Sequence, residues 1–430
     1  MLETIIDQLK ERRTGNILYP ETSLEAVRES AGEGSRNLRE ILSHNGIPLD
    51  YELYGYRVNL ADSNPQTRIS YLAMAQGKRP AFWNYANGYF DAGDWANAFF
   101  LRKLFPCTVK DSGETDYRLD PDNYLLREDG TPSDITSTAY EGSAMSAFPT
   151  IWTKRWQDEH YLYCLICDRQ LDEDYHAYMH TRKDGSVAAW KYIGMYLPIL
   201  YNERYKSLSG VNVTVNQTFE KELLYTHNIG ENWEVFSISD WAVLGDLLTL
   251  ISRSDNFQTS FGYGLVNASA LSAASDGGNL RCGGAFFNNA ALNTNSWQKV
   301  FHLHNLYSNH MTRMGGIVYK TGVLYVKPFP PYNTTGEGYE DTGLTITGTS
   351  DTYCKLSVMN DYGRFPSVLG GSATTYECDA AVYSNTVTAI GCTRGIFNGT
   401  TKSGKLGLHL NQTVAAHANI APRITCFSAD

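Results

Sequence analysis

Apolar residues recur at Leu2, Ile5, Ile6 and Leu9, the spacing of one helical face. Similar helical spacing runs over Thr22–Glu29 and over Arg36–Leu42, where Leu38, Ile41 and Leu42 fall on one side. These segments predict short N-terminal helices, which need a packing partner because isolated short helices are marginal in water. After Leu49 the period changes to two, and Tyr51–Leu60 reads as a strand. From Pro80 the chain becomes aromatic and turn-rich, with Asp111-Ser-Gly113, Asp129-Gly130 and Asp184-Gly185 between short strand patterns. One longer helix is predicted over Ser239–Ser252, with Trp241, Leu244, Leu247, Leu248 and Ile251 on one face and Ser239 as N-cap. The last part of the chain alternates over many short stretches rich in Gly and Asn. The pattern predicts an α+β protein with short N-terminal helices and a β-rich middle.

Composition narrows the function classes. The 430 residues include 29 Tyr, only 19% are charged, and the net charge is −10. An acidic chain is poorly suited to a phosphate backbone, so nucleic acid is not an expected partner. Tyr, Asn, Ser and Thr favour recognition by neutral contacts. No apolar run approaches the roughly 18 residues of a membrane span, so no membrane partner is expected. Met1–Arg13 lacks the apolar core of a secretory signal, which predicts synthesis and folding in a cytosol. The eight Cys are too sparse for a disulfide scaffold in a chain of this length.

Candidate chemistry is thin. Cys164-x-x-Cys167 lies in a run that reads as a buried strand, and a single such pair is weak evidence for zinc. His302, His304 and His310 have strand spacing suited to a metal, but no carboxylate lies nearby in sequence to complete the site. Asp172, Glu173 and Asp174 form a polar loop suited to solvent or to holding a cation. Phosphate-binding, dinucleotide, nucleophile-elbow and zinc-protease motifs are not found. No catalytic residue, metal or cofactor is expected.

The C-terminal segment Gly391–Cys426 alternates small and polar residues. Leu406, Leu408 and Leu410 alternate with Gly407, His409 and Asn411, which predicts one buried and one displayed face. Ordered blocks across residues 80 to 430 resemble a known family. They are Ala147–Arg155, Lys191–Tyr196, Lys206–Gly210, Ser252–Gln258 with Phe261–Gly264, Val300–Tyr307, Tyr332–Tyr339 and Gly363–Gly371. Together they resemble phage minor structural and tail-fibre proteins that end in a C-type lectin-like domain of the formylglycine-generating-enzyme type. Some of these are targets of diversity-generating retroelements. Ile17–Val27 resembles a segment found near virion-attached ends. The chain departs from the pattern at Ala421-Pro-Arg-Ile424, and the reactive Cys pair of the catalytic members has no counterpart that can be placed here. Cys392 and Cys426 read as packed strand thiols.

The resemblance implies three regions: residues 1–75 for virion attachment or oligomerisation, 76–138 as a β-rich connector, and 139–430 as a C-type lectin-like display domain. It implies a non-enzymatic tail or head fibre, usually a homotrimer, located on the virion. Its partners are then other virion proteins and a bacterial cell-surface glycan or protein. The residues expected to contact that receptor are Tyr383, Ser384, Asn385, Thr386, Ile396, Phe397, Asn398, Thr400, Thr401, His409, Asn411, Gln412 and His417. The alternatives are a capsid or tail decoration without a specific receptor, and an enzyme acting as depolymerase or oxidase.

Overall fold

The computed structural model describes residues 51–84, 86, 89–264, 298–393, 402–404 and 407–429. The three N-terminal helices and the Ile17–Val27 block lie outside the described residues, as does Cys282.

Period-two stretches become strands where expected. Leu53–Asn59 pairs antiparallel with both Ile69–Ala73 and Tyr161–Cys167. Trp152–Gln157 completes this first, four-stranded sheet. A second sheet of six strands runs Trp233–Val235, Ile424–Phe427, Trp190–Gly194, Gly142–Pro149, Phe105–Lys110, Thr115–Arg118. A third sheet of eight strands runs Glu340–Asp341, Val323–Val326, Arg313–Lys320, Ala389–Thr393, Leu408–Leu410, Ala380–Tyr383, Thr352–Asn360, Gly363–Leu369. Its single parallel pairing joins Ala380–Tyr383 to Leu408–Leu410.

The expected α+β arrangement, with short N-terminal helices ahead of a C-terminal C-type lectin-like domain, is therefore corrected to a mostly β architecture. Helices among the described residues are few and lie inside the body: Phe99–Arg102, Phe219–His227, Ile238–Ser252 and Phe257–Phe261. The reason is visible in the sequence texture. Short alternating runs punctuated by Gly, Asn and Asp close hairpins. Gly113, Gly130 and Gly185 each take positive φ at the predicted turns.

The helix Ile238–Ser252 is buried along its whole length. Ser237, rather than Ser239, is its N-cap: the Ser237 side chain accepts from Asp240 N, and the Asp240 carboxylate accepts from Ser237 N. That reciprocal pair satisfies two donors that the helix start leaves open. The helix packs on Arg313–Lys320 and Gly363–Leu369. Its Leu244, Leu247 and Ile251 share one core with Tyr56, Val58 and Ile166 of the first sheet and Ile317, Phe365 and Leu408 of the third.

Charged groups cross this core. Asp246, on the buried helix, accepts from Arg155 Nε (2.7 Å) and from the Tyr56 hydroxyl (2.7 Å). Arg155 also donates to the Asp361 carbonyl (2.9 Å), at the tip of the Thr352–Leu369 hairpin. Nearby, Arg364 binds Asp255 through two parallel bonds of 2.7 and 2.9 Å and also donates to Glu377. Arg68 reaches Glu377 (3.0 Å) and Asp255 (3.3 Å). Ser357 donates to Glu377 (2.8 Å) and accepts from Arg364 Nε (2.9 Å). Two guanidinium groups and two carboxylates are thus enclosed together, all four side chains at most 2% exposed.

Burial alone raises the Glu377 carboxyl pKa, but Arg364 and Arg68 beside it pull it down to about 2. Because the folded value lies below the ordinary 4.5, the associated stability is complete above pH 4.5 and is lost as pH falls through about 2. Arg364→Ala leaves two buried carboxylates short of a partner, and urea denaturation is expected to show a loss of about 3–5 kcal/mol. In acid titrations followed by circular dichroism, Glu377→Gln is expected to flatten the wild-type decline between pH 4.5 and 2.

Candidate functional site

Most of the predicted receptor-contacting residues that are described converge at one end of the third sheet. The parallel strands place Val382 opposite His409 and Tyr383 opposite Leu410. Parallel strands leave a sheet on the same side, so Ser384–Thr386 and Asn411–Gln412 emerge together. A backbone bond joins them, Ser384 N donating to Leu410 O (3.3 Å), and Ile390 N of the Ala389–Thr393 strand donates to Gln412 O (2.9 Å).

Side chains then order this edge. The Tyr383 hydroxyl donates to Gly348 O (2.6 Å), and its ring meets Tyr319 edge-on at 6.1 Å. The Tyr319 hydroxyl donates to Asn385 Oδ1 (3.0 Å). The Ser384 and Thr386 hydroxyls are 2.9 Å apart. Gln412 Nε2 lies 3.2 Å from Asn411 Oδ1 and 3.3 Å from His409 Nδ1. Asn385 and Thr386 are exposed, while Tyr383, Ser384, Asn411 and Gln412 are half-buried. His409 is only 5% exposed, because Leu408–Leu410 lies between two other strands and has both faces covered. His417 belongs to the loop beyond. Its Nδ1 accepts from Asn419 N (3.1 Å), and its carbonyl accepts from Asn216 N (3.2 Å). Ile396, Phe397, Asn398, Thr400 and Thr401 lie outside the described residues.

Arg313 anchors the loop that leaves Gln412. It pairs with Glu222 at 2.6 Å and donates to the carbonyls of Gln217 (3.1 Å), Thr413 and Ala415. The backbone adds a bond from Phe219 N to Val414 O (2.9 Å). Burial raises the Glu222 carboxyl to about 7 against the pull of Arg313.

Other sequence candidates serve the fold. His302 and His304 are buried. His302 Nδ1 bonds the Tyr124 hydroxyl, and His304 packs on the Tyr196 ring at 4.7 Å. Burial pushes both imidazoles well below their ordinary pKa. Asp172 and Asp174 do hold a cation, and it is Lys154, at 3.3 and 2.9 Å. Cys164 and Cys167 lie buried on the Tyr161–Cys167 strand. Among the described residues, no group of three or more His, Cys, Asp or Glu is placed to hold a metal.

A second surface was not anticipated from the sequence. The hairpin of Phe82–Asn84 and Tyr89–Asp91 pairs Phe82 with Asp91, Trp83 with Phe90 and Asn84 with Tyr89. Directly paired residues share a face of a sheet. Trp83 and Phe90 therefore turn inward, Phe90 lying 6.4 Å from Phe261. Phe82 and Tyr89 turn outward and are 41% and 48% exposed. The hairpin is tied to the end of the buried helix by Ala81 N donating to Ile251 O (2.7 Å). Arg253 follows with left-handed backbone (φ 52°) and ends the helix there. Between these pieces lies an open groove of about 550 Å³, lined by Gln66, Phe82, Trp83, Asn84, Arg253 and Thr259 among others.

Comparison with known proteins gives little. No family model matches the chain, and no curated protein matches it. Among solved structures, it is similar to the Major Tropism Determinant U1 variant, with a TM-score of 0.29, 11% identity, and coverage of 75% of this chain and 72% of that one. It is equally similar to the Major Tropism Determinant M1 variant, with a TM-score of 0.29, 10% identity, and coverage of 75% and 71%. A likeness this loose carries no argument about fold or function.

The role of Arg313 is directly testable. Arg313→Ala strips Glu222 of its partner and the 413–415 carbonyls of their donor. Hydrogen exchange is expected to show lost protection across residues 413–420, with a global destabilisation of about 3–5 kcal/mol in denaturant.

Proposed function

We propose that this chain is a non-enzymatic bacteriophage virion protein, a tail or head fibre, that binds a receptor on the bacterial surface through the C-terminal edge of its third sheet. The observation that carries the reading is the convergence of Tyr383–Thr386 with Asn411 and Gln412. Two separate segments, joined through their paired backbones, deliver neutral hydroxyl and amide groups to one place, each ordered by hydrogen bonds within its own segment or to Tyr319. Such groups suit neutral recognition of a glycan or a protein loop. The ordered blocks resembling phage fibre proteins support the same reading. So does the use made of the buried acids: Asp246, Asp255, Glu377 and Glu222 are each bound to a guanidinium and serve as fasteners. A homotrimeric assembly on the virion lets modest single-site affinity act in multivalent form.

The test uses fluorescently labelled protein and the bacterial strain that supports the phage. Thr386→Arg with Asn411→Arg is expected to weaken cell binding by at least about tenfold, a loss of roughly 1.4 kcal/mol. The melting temperature stays at the wild-type value. Unchanged binding by the folded double variant refutes the edge as the recognition surface. Light scattering on the same preparations is expected to report three times the 48.1 kDa chain mass.

A further inference from the structure

We infer that the groove beside the Phe82–Asp91 hairpin is a separate saccharide-binding site that takes an uncharged pyranose chain. It shares no residue with the C-terminal edge, and the inference does not depend on that edge binding a receptor.

Three observations lead there. First, the two outward aromatics are not scattered. Phe82 and Tyr89 lie on adjacent strands of one short hairpin and are each more than two-fifths exposed. Leaving two large rings in water on the same small face forgoes burial that the fold achieves elsewhere: Trp83 and Phe90 on the opposite face are packed into the core. Flat rings held in this way offer a platform for the apolar face of a sugar ring, while a sugar's hydroxyls need hydrogen-bonding groups around its rim.

Second, that rim is present. The groove walls carry the amides of Gln66 and Asn84, the hydroxyls of Thr259 and Ser260, and the guanidinium of Arg253. Of the two outward rings Phe82 lines the groove, together with Trp83, and aromatic walls with a few converging polar groups are the usual composition of a small-ligand site. The volume of about 550 Å³ is enough for one or two sugar rings, and the groove is open, as a polymer requires.

Third, the walls are fixed before any ligand arrives. Asn84 Oδ1 accepts from Ala86 N (3.1 Å), and Asn256 Oδ1 caps the Phe257–Phe261 helix by accepting from Thr259 N (3.0 Å). Arg253 Nε donates to Ile69 O (3.2 Å), and its guanidinium lies 5.5 Å from the centre of the Tyr71 ring. A site fixed in advance loses little entropy on binding.

Charge selects a neutral sugar. Arg253 is the one charged side chain among the lining residues and is already engaged by Ile69 O and the Tyr71 ring, and the chain carries a net charge of −10. An anionic polymer meets repulsion at long range, and no carboxylate among the lining residues offers a partner to a cationic sugar.

The test is saturation-transfer NMR on the full chain with maltohexaose, cellohexaose, laminarihexaose and chitohexaose as probes. At least one is expected to receive saturation at millimolar concentration, with the strongest signals on ring C–H protons. Phe82→Ala with Tyr89→Ala removes the ring that lines the groove and its outward neighbour across the hairpin, and the variant, shown to be folded by circular dichroism, should lose probe affinity about tenfold or more. Gln66→Ala is expected to weaken binding by a smaller factor. The inference is overturned if none of the four probes receives saturation, or if the folded double variant binds as well as wild type. Stronger transfer to a neutral hexapeptide pool than to every saccharide also overturns it and assigns the groove to peptide.

Discussion

Two guanidinium groups and two carboxylates, enclosed together at Arg68, Arg364, Asp255 and Glu377, set the condition on which the rest of the structure depends. Each charge alone is costly to bury, and the cost is offset only when all four arrive with good geometry. The cluster therefore makes assembly conditional. Arg68 stands before the Ile69–Ala73 strand of the first sheet, Asp255 follows the buried helix, Arg364 lies in the outer hairpin of the third sheet, and Glu377 lies just before its Ala380–Tyr383 strand. A slip of any one piece leaves an unpaired charge inside. Both candidate surfaces depend on this arrangement. Glu377 fixes the approach to the strand that ends in Tyr383–Thr386, and Asp255 adjoins the Phe257–Phe261 helix that walls the groove.

The same device recurs at Arg155 with Asp246 and at Arg313 with Glu222. Arg423 extends it without an acid, donating to the carbonyls of Gly194 (2.5 Å) and His304 (2.6 Å). Burial pushes its guanidinium pKa down to about 9. Arg suits this work because its planar fork satisfies several acceptors at once. Five arginines are held in the interior in this way: Arg68, Arg155, Arg313, Arg364 and Arg423.

Local elements were legible in the sequence, and long-range ones were not. The periodicity over Tyr51–Leu60 and Ser239–Ser252 located a strand and a helix to within about two residues, the usual margin at element ends. The cap is Ser237 because Asp240 stands three residues after it and returns the hydrogen bond, which leaves Ser239 inside the first turn. The alternation around His409 predicted a displayed imidazole but could not show that the strand runs between two neighbours. Arg68 and Glu377 are separated by 309 positions, and no local pattern announces their contact. Phe82-Trp83-Asn84 reads as one aromatic run. Only its pairing with Tyr89–Asp91 divides it into an inward and an outward face.

The two surfaces answer one constraint in different ways. A binding face must keep side chains ready without letting them wander, since each mobile side chain ordered on contact costs free energy. At the C-terminal edge the side chains restrain one another: Tyr319 holds Asn385, Ser384 holds Thr386, and Asn411 holds Gln412. Substitution at one position there alters the hold on its neighbour, so affinity and specificity at that edge are coupled. At the groove, restraint comes from the backbone instead, through a hairpin tied to the helix end by Ala81 and a short helix capped by Asn256. The rings of Phe82 and Tyr89 have few internal degrees of freedom to be fixed. The edge is therefore suited to discriminating among receptors and the groove to a generic, residue-tolerant hold, which matches the chemistry each presents.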